Sequence, residues 1–152
     1  MRFTLRSRGS YSRIKDRSMI PALMALAMAA GSPAPAAPPA PASAVEGIWH
    51  NPKNSVAVKT GACGDKLCGW VVRATDEAQA DARDGGTPKL IGTALLREYR
   101  PSGRNTWSGT IFVPDMGRTF GSTLKLVDAN TISVKGCLIG GFFCKSQIWH
   151  RG

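Results

Sequence analysis

From Val56 onward, apolar and polar positions alternate with a period of two in a series of short runs. Ser55-Val56-Ala57-Val58-Lys59 sets Val56 and Val58 on one face, and Leu67 to Thr75 returns with Trp70, Val71 and Val72. Ile91 to Tyr99 reads as a further strand. Thr106 to Val113 sets Trp107, Gly109, Ile111 and Val113 against Ser108, Thr110 and Phe112. Arg118 to Val127 gathers Phe120, Leu124 and Leu126, Thr131 to Cys137 turns Ile132 and Val134 inward, and Lys145 to His150 closes the series. Such alternation belongs to strands buried on one face. Turn chemistry separates them, at Pro101-Ser102-Gly103, Pro114-Asp115-Met116-Gly117 and Asp128-Ala129-Asn130. With Gly47–Asn51 counted first, the pattern predicts eight strands at a spacing of roughly ten residues, an all-β antiparallel meander in barrel or sandwich form. Gly69 inside a strand predicts a bulge or a close approach.

The alternation lapses once. Between Thr75 and Lys89, Asp76, Glu77, Asp81 and Asp84 stand among alanines, followed by Gly85-Gly86-Thr87-Pro88. Thr75 or Asp76 caps a turn or two of helix there and the Gly-Gly-Thr-Pro run ends it, so residues 76–89 are expected as a short helix or an irregular loop. The four carboxylates lack the spacing of a calcium loop and read as a solvated surface.

The first 44 residues are of another kind. Six basic residues, Arg2 to Arg17, precede the apolar run Met19 to Ala30. As a helix that run would span about 18 Å, well short of the ~30 Å membrane interior, so it reads as a secretory signal and not an anchor. Small-x-small cleavage motifs stand at Ala27-Met28-Ala29 and Ala42-Ser43-Ala44, the second being preferred. Residues 1–30 are thus expected as signal peptide, extendable to 44. Residues 31–44, with five of the ten prolines, are expected as an extended linker or the end of the signal. The domain is expected at 45–152, exported to the periplasm or secreted.

This division changes the charge. The whole chain carries +10, but residues 45–152 hold 14 Lys and Arg against 9 Asp and Glu, interleaved along the chain. That is a solvated surface, and no nucleic-acid partner is expected. All four cysteines fall in the domain, as Cys63/Cys68 and Cys137/Cys144. An even count in a small exported domain implies disulfides, and neither pair has the Cys-x-x-Cys spacing of a zinc site. Local pairing is favoured, because Cys63 to Cys68 reads as a hairpin tip whose facing Cα atoms suit a bridge.

Candidate chemistry is sparse. Gly47-Ile48-Trp49 opens the first strand and Trp149-His150-Arg151 ends the last; with those strands adjacent, the Arg151 guanidinium would cover the Trp49 indole and shut a barrel. His50 and His150 would then face each other, a weak metal or proton-handling pair expected at the rim. No Gly-x-Ser-x-Gly elbow, phosphate loop or dinucleotide fingerprint occurs, so neither an enzyme, a cofactor nor a metal is expected. Binding remains. Trp49, Trp70 and Trp107 are candidates to contact a small hydrophobic or amphiphilic ligand, against the plainer expectation that they fill the interior. The alternative is a protein-docking module using loops 76–89 and 138–143, with Phe142 and Phe143 beside Gly140-Gly141 as its tip.

Gly47-Ile48-Trp49, Cys63 to Gly69, Trp107-Ser108-Gly109, Pro114 to Phe120 and Val134 to Cys137, with Trp149-His150-Arg151, resemble the exported bacterial family called domain of unknown function 2147 (DUF2147). That resemblance covers about 46–151 and implies a small lipocalin-like (calycin) barrel that is exported; it implies no reaction. The chain departs from the family's pattern at Val113, where many members place an Asp before the turn proline.

Overall fold

The computed structural model describes residue 31, residues 33–138 and residues 140–152. The leader expected over residues 1–30 lies outside them. The chain divides into two units, Met1–Pro35 and Ala36–Gly152, and every strand belongs to the second.

Eight strands pair antiparallel in chain order: β1 (Gly47–His50), β2 (Val56–Cys63), β3 (Lys66–Ala74), β4 (Ala94–Gly103), β5 (Thr106–Val113), β6 (Arg118–Asp128), β7 (Thr131–Cys137) and β8 (Cys144–Arg151). β8 returns to β1, with Trp49 opposite Arg151 and His50 opposite His150, so the sheet is a closed barrel. Closure leaves no edge on which another chain could add. One helix, α1 (Asp76–Asp84), links β3 to β4 among the described residues. Thr75 caps it, its side-chain oxygen accepting from the Ala78 amide at 3.2 Å.

The interior follows the alternation. Trp49, Val58, Val71, Leu96, Leu124 and Ile132 are all essentially inaccessible, and burying each such side chain stabilises by roughly 1.5–3 kcal/mol. Gly69 permits this packing, since a Cβ there would meet Val58 Cγ1 at 2.9 Å and Leu96 Cδ1 at 3.0 Å.

The structure refines three expectations. The strand expected from Ile91 begins at Ala94 and runs through Pro101 to Gly103, with the turn displaced to Arg104-Asn105, where Asn105 takes φ +54°. Pro101 is tolerated because the β4–β5 ladder is irregular on both sides of it. The β4 irregularity also explains a break in periodicity: Leu96 and Tyr99, three apart, are both fully buried, which a regular strand forbids. Glu98, at φ +55°, absorbs the extra residue and turns Tyr99 back inside.

The second concerns residues 76–89, expected as a short helix or an irregular loop and found as α1 and the turn that follows it. α1 lies with Ala82 buried, and its end is locked onto the β5–β6 turn: a Cβ on Gly85 would collide with Pro114 O and Asp115, and Thr87 Oγ1 donates to Pro114 O at 3.3 Å. The third concerns the linker. From Ala36 the chain belongs to the compact unit, Ala40 packs on the core, and Ala42–Val45 forms a 3-10 turn ending in the fully buried Val45.

Candidate functional site

The topology gives the barrel two unlike ends. At one lie the chain entry before β1, the β2–β3, β4–β5 and β6–β7 turns and Arg151. At the other lie the β1–β2 loop, α1 and the β5–β6 and β7–β8 turns.

The first end is shut. The Arg151 guanidinium carbon sits 4.2 Å from the Trp49 ring centroid. Its nitrogens donate to the carbonyls of Ala129 at 2.8 Å, Glu46 at 2.8 Å and Ala44 at 2.9 Å. Beneath it, Trp49 Nε1 donates to Val45 O at 3.0 Å and Thr60 Oγ1 at 3.1 Å. Gly47 stands at φ +140° where a Cβ would strike Arg151 Nη1, so this Gly-x-Trp requires its glycine.

Higher up, Tyr99 crosses the interior to donate to Ser122 Oγ at 2.6 Å. Gly109 opposite makes room, since a Cβ there would lie 2.8 Å from the tyrosine ring. Burial pushes the Tyr99 hydroxyl up to about 12, against a smaller opposing effect of the Ser122 bond.

The second end is open. A cavity of about 330 Å³ lies inside the mouth, between the β5–β6 turn and the β7–β8 loop. β5 lends it Ile111 and Val113, β6 Phe120, and β7 Val134 and Gly136; Met116, Asp115, Leu138 and Phe143 form the rim. β8 contributes something else. Register fixes Trp149 opposite the inward Ile132, Gln147 opposite Val134 and Lys145 opposite Gly136, so Lys145 and Gln147 face the cavity. The described residues form two ion pairs, Lys66–Glu98 and Arg100–Asp65, and neither involves Lys145 or Asp115. A second cavity of about 260 Å³ adjoins the first, shares Asp115 and Gln147 with it, and extends beneath α1 to Asn51, Lys53 and Asp81.

The sequence candidates are distributed differently from expectation. None of Trp49, Trp70 and Trp107 lines the mouth cavity. Trp49 and Trp107 are buried below it, and Trp70, alternating with the inward Gly69 and Val71, faces outward across Gly61. The plainer expectation, that they fill the interior, fits Trp49 and Trp107, and the β5 positions that line the mouth lie four and six residues beyond Trp107. Both disulfides form, Cys63–Cys68 and Cys137–Cys144, which removes all four thiols from metal chemistry. The first closes a turn at the shut end; the second brackets the loop beside the cavity. Phe142 and Phe143 on that loop are 73% and 81% exposed, and Phe143 belongs to the cavity rim. His50 and His150 are opposed in register, but His50 Nδ1 lies 2.8 Å from Asn54 Oδ1 and 3.0 Å from Arg73 Nη2, one of which engages it in either tautomer. No cluster of metal-ligating side chains occurs among the described residues.

Lys145 and Gln147 were missed by sequence reasoning. Counting back in twos from Arg151, once that residue is assigned inside by closure over Trp49, reaches them directly.

A closed eight-stranded meander, shut at one end by an Arg over a Gly-x-Trp indole and hollow at the other, is a lipocalin-like barrel. The chain belongs to the family described as "Uncharacterized protein conserved in bacteria (DUF2147)", whose model matches residues 47–151. Among solved structures it is similar to the Helicobacter pylori protein HP1028, described as belonging to the lipocalin family. That likeness has 14% identity and a TM-score of 0.56, covering 70% of this chain and 82% of that one. At this identity it establishes the fold. No curated protein matches the chain.

Proposed function

We propose that the protein is an exported binding protein, not an enzyme, and that its barrel mouth takes a small amphiphile with an acidic head. The observation that carries this reading is Lys145: an exposed ammonium, in no ion pair among the described residues, whose strand position faces a cavity walled by Ile111, Phe120 and Val134. Lys145 stays exposed at the lip, so its ammonium keeps its water until a group of opposite charge arrives. A carboxylate seated there would gain a charge-assisted bond while its chain covers the apolar wall. The cavity volume stands at the low end of the range for small-molecule sites, which suits a short chain. Two disulfides support export, and no helix among the described residues is long and apolar enough to cross a membrane.

Because no tryptophan lines the cavity, calorimetry is the suitable test. Decanoate should bind saturably and about tenfold more tightly than decanol, the ratio expected of one charge-assisted bond. Gly136→Leu, which adds a side chain into the cavity, should abolish binding of both; Lys145→Met should remove only the difference. Failure of both compounds to bind would end the reading, and equal affinities would end its acidic-head part.

A second reading, docking on another protein, is favoured by Phe142, which is exposed and, unlike Phe143, is not part of the cavity lining. Loss of a co-purifying partner on Phe142→Ser, with decanoate affinity unchanged, is its expected signature; an unchanged partner set would overturn it.

A further inference from the structure

The family match begins at residue 47, yet ten residues before it are built into the shut end of the barrel. The Ala37 carbonyl accepts from Arg104 Nη2, and the Ala40 amide donates to Asn105 Oδ1 at 2.7 Å. Ala40 packs on the core, and Ala44 turns back through its amide to Pro41 O at 2.9 Å. The Ala44 and Glu46 carbonyls then receive Arg151. Val45 between them is 0% exposed, and its carbonyl accepts both from Trp49 Nε1 and from Thr60 Oγ1.

We infer that residues 37–46 are a permanent strap across the shut end, and that the signal is removed upstream of Ala37, not at the Ala42-Ser43-Ala44 motif. The processing half of this rests on the export reading above; the strap half does not.

Charge decides between the two cleavage motifs. Cutting after Ala44 would make Val45 the N-terminus, and an α-amino group is largely protonated at neutral pH. That ammonium would arise at the peptide nitrogen adjoining the carbonyl that Arg151 Nη2 now grips. An acceptor of the guanidinium would be replaced by a like charge beside it. The anchors at Ala37 and Ala40 would leave with the removed peptide. Cutting after Ala29 disturbs none of these contacts and meets the same small-x-small requirement.

The test uses the full chain, exported from a bacterial host, with intact mass as readout. The mature protein should begin before Ala37; Ala29→Leu should block processing, and Ala44→Leu should leave the mature mass changed only by the substitution itself. A mature chain beginning at Val45, or one that keeps its leader, overturns the processing half. The strap half is read from thermal melting of chains starting at Ala36 and at Val45. The shorter chain should melt about 5 °C or more below the longer, or fail to fold where the longer folds. Equal melting temperatures overturn it.

Discussion

Arg151 lies over Trp49 with its guanidinium carbon 4.2 Å from the ring centroid, and the two residues are direct partners across the β1–β8 seam. One side chain thereby joins four segments: β1 and β8 at the seam, the β6–β7 turn through Ala129, and the entry strap through Ala44 and Glu46. Arg151→Met keeps much of the apolar stem but loses the stacking and all three carbonyl bonds. It should cost about 2 kcal/mol or more in urea unfolding. Arg151→Lys should recover only part of this, because an ammonium cannot serve three carbonyls and an aromatic face together. Gly47→Ala should be comparably damaging, since it adds both φ strain and a collision with Arg151 Nη1.

How much of this was legible beforehand can be judged from particular residues. The eight strands and both disulfides follow from alternation and local cysteine spacing, which are short-range signals; the seam joins the two ends of the domain and follows from the Gly-x-Trp and the terminal Arg read together. The inward turn of Tyr99 was not legible. It depends on Glu98 accepting a left-handed backbone, and nothing in Arg97-Glu98-Tyr99 advertises that; the gain comes from Ser122 and Gly109, which are distant in sequence. The tryptophans divide for a related reason: bulk identifies what fills a barrel, as Trp49 and Trp107 do, whereas a cavity begins where filling stops. That boundary depends on the height of each position along the barrel axis, which the register sets.

Trp49 and Trp107 are a matched pair for measuring the worth of an indole hydrogen bond. Both are buried, but Trp49 Nε1 has two acceptors and Trp107 Nε1 has none within the described residues. Replacement by Phe removes similar volume from each. Trp49→Phe additionally removes one bond each from Val45 O and Thr60 Oγ1, which keep the bond between them, and weakens the stacking under Arg151, whereas Trp107→Phe relieves a buried donor. The first should therefore be the more destabilising by about 1–3 kcal/mol in chemical denaturation. Equal losses would mean that the indole bonds at the shut end contribute nothing net.

The Tyr99 hydroxyl gives a pH signature at the alkaline end. Its pKa is raised from 10.0 to about 12 by burial, so between those values the folded state holds a proton that the unfolded state releases. Stability is then fully present below pH 10 and falls as pH rises toward 12, by roughly 2–3 kcal/mol in total. Tyr99→Phe should lose about 1 kcal/mol at neutral pH, through the stranded Ser122 Oγ, and should flatten the alkaline decline. Glu98 next to it behaves oppositely: the Lys66 hydrogen bond and charge lower its pKa, so its contribution is present above the unfolded value and fades as pH falls through the folded one. Glu98→Gln should lower stability slightly above that range and flatten the acid limb.

The two disulfides should separate stability from binding. Each closes a short loop, of sequence separation 5 for Cys63–Cys68 and 7 for Cys137–Cys144, and the chain-entropy account gives each roughly 2 kcal/mol. Their positions differ. Cys63–Cys68 lies at the shut end, away from every cavity-lining residue, so Cys63→Ser with Cys68→Ser should lower the denaturation midpoint and leave decanoate affinity intact. Cys137–Cys144 holds together the ends of β7 and β8, between which run Leu138 and Phe143 of the cavity rim. Opening it frees that loop, whose remaining backbone tie is the Leu138 amide donating to Phe143 O at 3.3 Å. Cys137→Ser with Cys144→Ser should thus lose about the same stability and, in addition, several-fold in affinity, because rim residues ordered in advance must now be ordered on binding. Titration of both double variants at a temperature well below either midpoint decides the matter: equal affinities would place the ligand elsewhere than beneath Phe143.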